Sequence, residues 1–460
     1  MKEAVTVLYH YRQIHLYTIT YDAGSGSCDG RGLITGTHLH ITRSGARARA
    51  SMICDTRGRN RELHFSMLNP YTIENIITVP NYVEALKVCM KNVGYKLSVQ
   101  DYVRHGLIHI ADTINTIHAG IIPAIQNPRK VRIKERGHER IITPIRIEDR
   151  ITQRVLCDYA LIPLIKDRLI YDNGASTKGK GTKFSRDRLS RHLEEAKRRW
   201  GADHVYALKF DFKNFFGSIP HAQCFRVLDE IFEDKRMRDL IIGIIESYQE
   251  KEIMRIEDPA DRERELRSLH NHEKVGICLG SQISQILALV IPNAFDHYVK
   301  DKLGVKYYIR HMDDGIILSN DKLELRRIMT LLEAEAAKYG LAMNTKKTMI
   351  VPLTKGFMFL KVRYQADGNR TVKTLAKSGI VRMRRKLKKY VGLVNRGKMS
   401  IDDVYASVQA WLAHSRIAKS YRAVNAMMEL YNRLFGGYRI TRSYWSYHPE
   451  LTMKRKAVAY

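Results

Sequence analysis

Two adjacent aspartates, Asp313 and Asp314, stand inside an otherwise apolar stretch, VKYYIRHMDDGIILS. The flanking residues 305–309 and 316–318 are rich in β-formers, and Asp-Gly is a strong hairpin signal, so the segment predicts a strand, a tight turn and a second strand. The turn is expected at 312–315. Taken alone, two aspartates before a glycine usually do no more than form such a turn.

A third aspartate changes this interpretation. Asp211, in HVYALKFDFKNFFGSIPH, follows an apolar strand at 204–210 and precedes an aromatic-rich turn. If that strand pairs with the hairpin, Asp211 and Asp313 lie close together, and neighbouring carboxylates repel each other unless cations bridge them. Mg²⁺ prefers oxygen ligands, and two such ions ~4 Å apart can activate a hydroxyl and hold pyrophosphate oxygens, as in polymerases and nucleases.

The charge of the chain indicates the class of partner. Its 460 residues include 78 Lys and Arg against 48 Asp and Glu, a formal net charge of +30. Phosphate backbone is the usual neutraliser of such an excess, so nucleic acid is the expected partner, and a merely soluble basic protein is the alternative. No run approaches the ~20 apolar residues of a membrane span, and the start lacks a signal peptide, which predicts a cytoplasmic protein without membrane contact. The scattered cysteines show no zinc-binding spacing.

The pattern of apolar residues suggests the organisation of the chain, and at ~150 residues per domain its length allows about three domains. Residues 1–66 hold short β-like runs that resemble no domain we can name, and translation could instead begin at Met52 or Met67. Residues 250–274 carry mixed charges and predict an exposed insertion. Helical spacing of apolar residues predicts helices at 83–93, 99–118, 184–200 and 224–247, a basic amphipathic helix at 380–394, another from about Asp402, and a last one ending at Gly436-Gly437.

The order and spacing of the motifs over residues 75–440 resemble a reverse transcriptase, a right-hand polymerase of fingers, palm and thumb. The resemblance implies an α+β fold with a ferredoxin-like palm. Its expected parts are fingers at 67–205, palm at 206–365, and a helical thumb with a C-terminal tail at 366–460, preceded by the basic segment 1–66 of unknown role. The implied activity is RNA-directed DNA polymerisation, a nucleotidyl transfer.

The resemblance also assigns the catalytic roles. RHMDDG resembles the Tyr-x-Asp-Asp motif, with His311 where tyrosine is usual, and Phe-Asp211-Phe resembles the first catalytic motif. Asp211, Asp313 and Asp314 would then hold two Mg²⁺ ions, for which Mn²⁺ is a possible substitute. Lys347, in MNTKKTMI, would protonate the pyrophosphate leaving group; a solvated lysine at a helix end is the alternative.

Further residues resemble those that contact the incoming nucleotide. Phe216, five residues after Asp211, occupies the place of the aromatic steric gate, which excludes a 2′-hydroxyl and so implies dNTPs. Lys134 and Arg140 resemble the basic pair that grips the triphosphate, with exposed strand charges as the alternative. The alternative for Phe212 and Phe215 is simple core packing. The full set implied to contact the dNTP is Lys134, Arg140, Phe212, Phe216, Gly280 and Gln285.

Three segments resemble contacts to template and primer. The loop YDNGASTKGKGTKF is similar to the template-contacting loop, through Lys178 and Lys180. GFMFLKVRY resembles the primer grip, through Phe359 and Leu360, although Lys361 replaces the usual glycine. The basic face of the first thumb helix would contact template–primer phosphates. Its residues in this role are Arg382, Arg385, Lys386 and Lys389. The implied partners are template RNA, a DNA or RNA primer, dNTPs and, as one possibility, a small basic accessory protein; the oligomeric state stays open.

The middle loop departs from the pattern of most reverse transcriptases, which carry Gln-Gly-x-x-x-Ser-Pro. Here residues 279–285 read LGSQISQ. An aliphatic residue before the glycine and a final Ser-Gln resemble the enzymes of diversity-generating retroelements, which copy an RNA with errors at adenine, and imply lowered fidelity. Similar loops occur in prophage-borne and phage-defence reverse transcriptases. A non-catalytic, maturase-like RNA-binding protein is a further alternative. No endonuclease or zinc-knuckle pattern is seen, which argues against a complete group II intron protein.

Overall fold

The structure is a computed structural model that falls into two compact units. The first contains residues 1–165, 224–274 and 278–284, and the second contains residues 166–223, 275–277 and 285–460. Side chains are described for 69–123, 131–133, 142–368 and 370–436, and backbone alone for the strands at 2–11, 13–22, 33–34, 48–53, 63–67, 134–135, 138–141, 438–442 and 451–455.

The strands form six small sheets within the described residues. In chain order they are β1 (Lys2–Tyr11), β2 (Gln13–Asp22), β3 (Leu33–Ile34), β4 (Ala48–Ile53), β5 (Leu63–Met67), β6 (Val131–Glu135), β7 (His138–Ile142), β8 (Tyr206–Asp211), β9 (Tyr308–His311), β10 (Asp314–Ser319), β11 (Met349–Pro352), β12 (Phe357–Phe359), β13 (Val362–Asp367), β14 (Arg370–Leu375), β15 (Tyr438–Arg442) and β16 (Leu451–Arg455). The β-like character expected of the first 66 residues is present in β1 to β4.

The helices account for most of the remaining described chain. They are α1 (Ile73–Ile76), α2 (Val79–Cys89), α3 (Leu97–Arg104), α4 (Gly106–His118), α5 (Ile147–Leu156), α6 (Ile162–Ile165), α7 (Thr182–Trp200), α8 (Phe215–Ser218), α9 (His221–Ile231), α10 (Lys235–Ile253), α11 (Pro259–His270), α12 (Gln282–Val290), α13 (Asn293–His297), α14 (Lys322–Ala337), α15 (Lys377–Asn395), α16 (Ile401–Ser415) and α17 (Tyr421–Leu434). No helix of the described part is long and apolar enough to cross a membrane.

Two helices predicted as continuous are broken. The segment 99–118 divides into α3 and α4 at His105, whose backbone leaves the helical region just before Gly106. The segment 224–247 divides into α9 and α10, and Asp234 begins the second by accepting a hydrogen bond from the Arg236 N–H. Apolar periodicity continues across both breaks, so periodicity alone did not reveal them. The stretch 250–274, expected as an exposed insertion, contains α11, whose Leu269 is buried.

The second unit is built around a four-stranded sheet of order β11-β8-β10-β9. One face carries Ala207, Ile316 and Leu318 in a hydrophobic cluster with Leu189 and Leu193 of α7. On the other face Phe210 is fully buried and contacts aromatic rings of the core. Because both faces of β8 are covered, its sequence is a nearly continuous apolar run rather than an alternating one.

The hairpin is tighter than predicted. The turn comprises Met312 and Asp313 alone, since Asp314 already pairs with His311 across β9 and β10. The left-handed conformation needed for the turn is adopted by Met312, at φ 56°. Gly315 therefore lies within β10, opposite Arg310, and not in the turn. The expected turn at 312–315 was wrong by two residues. Asp-Gly usually indicates a turn, but this glycine instead makes room for the Phe210 ring of the neighbouring strand β8.

The C-terminal helices form their own apolar cluster. Met383 and Leu387 of α15 are buried against α16 and α17, and the helix is amphipathic as predicted. A capping box between Ser400 and Asp403 begins α16. The last helix ends at Leu434 with Phe435 as its C-cap, so Gly436 follows the cap, and Gly437 lies outside the described residues. The predicted α+β fold class is confirmed.

Candidate active site

The three predicted aspartates meet at one end of the four-stranded sheet. Strand β8 pairs antiparallel with β10 in a register that sets Asp211 directly opposite Asp314. Asp313 lies in the adjoining turn, and its carbonyl accepts a hydrogen bond of 3.2 Å from the Phe212 N–H. Asp211 is almost fully buried, at 4% exposure. The pairing of strands on which the sequence prediction depended is present.

Lys347 closes this cluster on one side. Its Nζ lies 2.9 Å from both carboxylate oxygens of Asp211, and the Asn344 N–H donates a 2.7 Å hydrogen bond to the Asp211 carbonyl. On the other side, Nζ of Lys209 lies 3.5 Å from Oδ1 of Asp314. Two lysines thus face three carboxylates, which leaves one negative charge without a close cationic partner in this cluster.

The pKa values of the cluster agree with this excess of one negative charge. Burial, followed by the negative charges of Asp314 and Asp211, raises the pKa of Asp313 to about 6. Burial also raises the pKa of Asp314, against the opposing effect of Lys209. The hydrogen bond to Asp211 raises the pKa of Lys347, so the ammonium form is favoured. Several displaced pKa values at one place, here all raised, are typical of active sites.

The donor set fits a hard divalent cation. Among the described residues, no three His, Cys, Asp or Glu side chains already converge as a closed metal site. The carboxylates are nevertheless brought together by strand register. Burial and then repulsion from Asp314 and Asp211 raise the pKa of Asp313, and a cation would relieve that repulsion. Carboxylate oxygens are the ligands that Mg²⁺ prefers, and Mg²⁺ sites often complete their shell with substrate phosphates rather than with further protein ligands.

The aromatic residues after Asp211 divide into core and surface. Phe212, at 2% exposure, stacks on Phe215 with a centroid distance of 5.4 Å and meets Phe210 and Phe295 edge-on. Its side chain belongs to the core. Phe216 is half-buried, and its carbonyl accepts a 2.8 Å hydrogen bond from the Ile277 N–H. Of the predicted nucleotide contacts in this motif, Phe216 has the accessible ring.

Residues 279–284 of the middle loop belong to the first unit. They lie close to Thr143, the residue that follows β7. Gly280 has φ 119°, and a Cβ at this position would lie 2.7 Å from the Thr143 carbonyl oxygen. The Thr143 N–H donates a 3.1 Å hydrogen bond to the Leu279 carbonyl. Only glycine combines this backbone conformation with so close an approach. Gln285 is exposed on α12.

Gln153 holds the same loop, and sequence reasoning missed it. Its buried Oε1 accepts hydrogen bonds from Ser281 Oγ at 3.0 Å and from the Gln282 N–H at 3.1 Å. Its Nε2 donates to the Tyr248 hydroxyl at 2.8 Å. A glutamine on the buried face of an amphipathic helix is the signal that could have drawn attention to it.

The basic loop before α7 borders a cavity of about 260 Å³ whose lining includes Lys180, Lys183, Phe184 and Arg191. Nζ of Lys180 donates to the Tyr171 carbonyl at 2.9 Å and lies 5.3 Å from the ring centroid of Phe184. The exposed Lys178 stands on the same loop. Cations beside aromatic rings, in a concave surface, are suited to a phosphate chain with attached bases.

The remaining predicted contacts are distributed over other elements. Lys134 of β6 and Arg140 of β7 occupy adjacent register positions, Lys134 opposite Glu139 and Ile133 opposite Arg140; only their backbone is described. Phe359 is buried at the end of β12 and Leu360 is half-buried in the turn that follows. The basic residues of α15 are exposed: Arg382, Arg385, Lys386 and Lys389.

Lys361, which replaces the usual glycine of the primer-grip motif, has a left-handed backbone conformation. Leu360 and Lys361 both have positive φ, 45° and 70°, in the turn between β12 and β13. This left-handed region is one that glycine enters without steric cost. The glycine usual after Phe-Leu in the family therefore corresponds to a turn that this chain forms with a lysine.

A family model described as reverse transcriptase (RNA-dependent DNA polymerase) matches residues 130–375, just over half of the chain. No curated protein matches.

Solved structures give distant likenesses. Telomerase from Candida albicans, in complex with the TWJ fragment of telomeric RNA, shares 12% identity at a TM-score of 0.40 over 67% of this chain and 61% of that one. Apo telomerase from Candida tropicalis shares 13% identity at a TM-score of 0.38 over 68% of this chain and 63% of that one. The chain thus spans about three fifths of the length of these telomerase chains.

Proposed function

The chain belongs to the reverse transcriptase (RNA-dependent DNA polymerase) family, and on that premise we propose that Asp211, Asp313 and Asp314 are the centre at which it adds deoxynucleotides to a primer on an RNA template. It is an RNA-directed DNA polymerase with the right-hand polymerase fold. The observation that carries the proposed centre is the strand register that opposes Asp211 to Asp314, with Asp313 in the adjoining turn. Three carboxylates brought together in this way form a site for phosphoryl chemistry.

In the proposed reaction the 3′-oxygen of the primer attacks the α-phosphorus of a dNTP, and the bond to pyrophosphate breaks. Two Mg²⁺ ions held by Asp211 and Asp313, with Asp314 in support, would activate the hydroxyl and stabilise the leaving oxygens; Mn²⁺ would be a substitute. Asp211 is fixed for this role because its carbonyl and carboxylate are both hydrogen-bonded.

Lys347 is the proposed acid for the leaving group. It is exposed at its end, so a phosphate can reach it, and it is held beside the carboxylates by Asp211. The same contact raises the pKa of Lys347 and keeps its proton in place until pyrophosphate, a competing anion, arrives. A protonated amine at this point supplies a proton to the departing oxygen.

Contacts to nucleic acid complete the proposal. Lys134 and Arg140 would grip the triphosphate from the fingers, assigned to 67–205. The basic loop through Lys178 and Lys180 would follow the template. In the palm, assigned to 206–365, the half-buried Leu360 would contact the primer, and the buried Phe359 would anchor its turn in the core. The exposed cations of α15 would bind template–primer phosphates as part of a thumb from residue 366 onward. The cavity beside Lys180 supports the template assignment.

The first experiment is primer extension on poly(rA)/oligo(dT) with Mg²⁺, comparing dTTP with UTP. We expect wild type to use dTTP, because the Phe216 ring leaves no room for a 2′-hydroxyl. Replacing Phe216 with valine should reduce the preference for dTTP about 10- to 100-fold, the usual effect of one steric contact in a pocket. Phe215→Leu, a change in a buried ring, is the matched control and should leave the preference unchanged. An unaltered preference in the Phe216 variant would remove the gate assignment, and no extension by wild type would contradict polymerisation on this template.

The subclass proposed is the diversity-generating type, with lowered fidelity. Its support is the Leu279 to Gln285 loop, in which an aliphatic side chain replaces the usual glutamine next to Gly280. Loss of a polar side chain there loosens contact with the nascent base pair. Sequencing cDNA copied from a defined RNA should show errors concentrated at adenine, and Leu279→Gln should reduce them. Accurate cDNA from wild type would instead favour a phage-defence type, which shares the chemistry.

A further inference from the structure

An arginine is completely buried in the strand that leads to the catalytic turn. Arg310 of β9 and Asp296 of α13 both have 0% side-chain exposure. The guanidinium donates to both carboxylate oxygens, through Nε at 2.7 Å and Nη2 at 2.6 Å. The Tyr308 hydroxyl donates to the same carboxylate at 2.6 Å. The site described above makes no use of this pair.

Stability alone does not account for such a pair. Removing two charges from water is costly, and replacing a buried ion pair with apolar residues of similar volume is often neutral or stabilising. The distinguishing feature is therefore what else the guanidinium contacts.

Arg310 also binds the backbone of the turn. Its Nη1 donates a 2.9 Å hydrogen bond to the Met312 carbonyl, and its Nη2 donates to the Leu289 carbonyl at 3.1 Å. The Met312 carbonyl belongs to the same planar peptide group as the Asp313 N–H. Met312 has a left-handed backbone, which a residue with a side chain adopts only when its surroundings impose it.

Both peptide groups that flank the Asp313 Cα are thus held. Arg310 holds the one before it, and the Phe212 N–H holds the one after it by donating to the Asp313 carbonyl at 3.2 Å. Two fixed peptide planes determine the direction of the Cα–Cβ bond between them. The backbone therefore fixes the point from which the Asp313 side chain extends, although Asp211 is close enough to repel its charge.

We propose that Arg310, neutralised by Asp296, is a positioning residue for polymerisation: by holding the Met312–Asp313 peptide it sets the orientation of the Asp313 carboxylate. This inference rests on the proposed role of Asp313. Asp296 has a supporting part, since it orients the guanidinium and removes its net charge from the core. Tyr308 takes part through its hydroxyl, which donates to the Asp296 carboxylate.

The test uses a triple variant that removes the charges and keeps the volume: Arg310→Met, Asp296→Leu and Tyr308→Phe. We expect it to fold, with a melting temperature close to wild type, and to bind template–primer and dTTP with KM values within about threefold of wild type. Its kcat should fall about 10²-fold, the effect of misplacing a reacting group by about 1 Å. Tyr308→Phe alone is the matched control and should retain kcat within about twofold. A folded triple variant with the kcat of wild type would overturn the proposal.

A conservative variant covers the case in which the triple variant does not fold. Arg310→Lys keeps a cation beside Asp296, but a single ammonium lacks the fork that reaches Asp296 and the Met312 carbonyl together. We expect kcat to fall about tenfold with KM unchanged; wild-type kcat in this variant also contradicts the proposal.

Amide hydrogen exchange over 311–314 gives a readout that does not depend on activity. Exchange should be about tenfold faster in Arg310→Lys than in Tyr308→Phe, and equal rates would refute the positioning role. Inactivity of wild type itself, with the exchange difference present, would instead show that the proposed function is at fault.

Discussion

Replacing Asp313 with asparagine should lower the rate of nucleotide addition about 10³-fold or more and leave template–primer affinity within about twofold. The carboxamide keeps the size of the side chain but removes one of the charges that would hold Mg²⁺ and stabilise the transferring phosphoryl group. Single-turnover primer extension measures the rate, and fluorescence anisotropy with a labelled template–primer measures the affinity. Asp112→Asn, at an exposed position of α4, is the matched control and should behave as wild type.

The same variant should not lose stability, which separates lost chemistry from unfolding. Burial and neighbouring carboxylates raise the pKa of Asp313 to about 6 in the folded protein, from its ordinary value of 3.8. The folded state therefore binds more protons between these values, so this group costs stability as the pH rises through about 6. At pH 8 without metal, the free energy of unfolding of Asp313→Asn should exceed that of wild type by about 1–3 kcal/mol. At pH 5 the difference should be smaller.

Measurable extension by Asp313→Asn, within tenfold of wild type, would exclude the proposed role of this carboxylate. If wild type and variant both bind RNA and neither extends a primer, the maturase-like alternative gains support. Loss of extension together with a lowered melting temperature would leave a structural role for Asp313 in place of a chemical one. The three outcomes are therefore distinct.

Replacing Gly315 with alanine should destabilise the second unit by about 3 kcal/mol, at the upper end of overpacking effects. A Cβ at this position would lie 2.1, 2.4 and 2.6 Å from three atoms of the Phe210 ring. That ring is fully buried and is surrounded by Phe212, Phe295 and Tyr308, so it cannot swing aside. Thermal and denaturant unfolding measure the loss, and extension activity should fall with it because Asp314 is the preceding residue.

Gly379→Ala provides the contrast. This glycine is within α15, has no atom within 4 Å of its added Cβ and has no positive φ, so alanine there should stabilise by about 0.5–1 kcal/mol. Combining Gly315→Ala with Phe210→Leu should recover part of the lost stability, since the smaller side chain relieves the overlap. If Gly315→Ala melts at the temperature of wild type, the hairpin has the turn expected from sequence and not the one described.

Much of the candidate site was accessible from the sequence because its residues stand at the ends of apolar strands. Asp211 and Asp313 could be selected as soon as two such strands were assumed to pair, and the motif order then implied the remaining roles. Lys209, Asn344 and Gln153 were not selected. Their roles depend on partners 100 or more residues away, and no local pattern identifies such partners.

Arg310 could be noticed in the sequence, but its partners could not be predicted from it. A charged residue inside the apolar run YYIRH is visible in the sequence and predicts either an exposed edge or a buried pair. Nothing in the run indicates which. Its partner Asp296 and its contact with the Met312 carbonyl follow from the packing of α13 against the sheet.

The sequence by itself determined the types of element, the α+β class and the presence of three aspartates at strand ends, because periodicity and turn preferences are local properties of the chain. The tertiary structure alone decided the register that opposes Asp211 to Asp314, the two-residue turn at Met312, and the place of Gly315 beneath a ring. Both faces of β8 are covered, so the register is decided by how individual side chains of β8 and β10 fit together, as Gly315 does opposite Phe210. That depends on residues far apart in the chain, and it is what brings the carboxylates to one point.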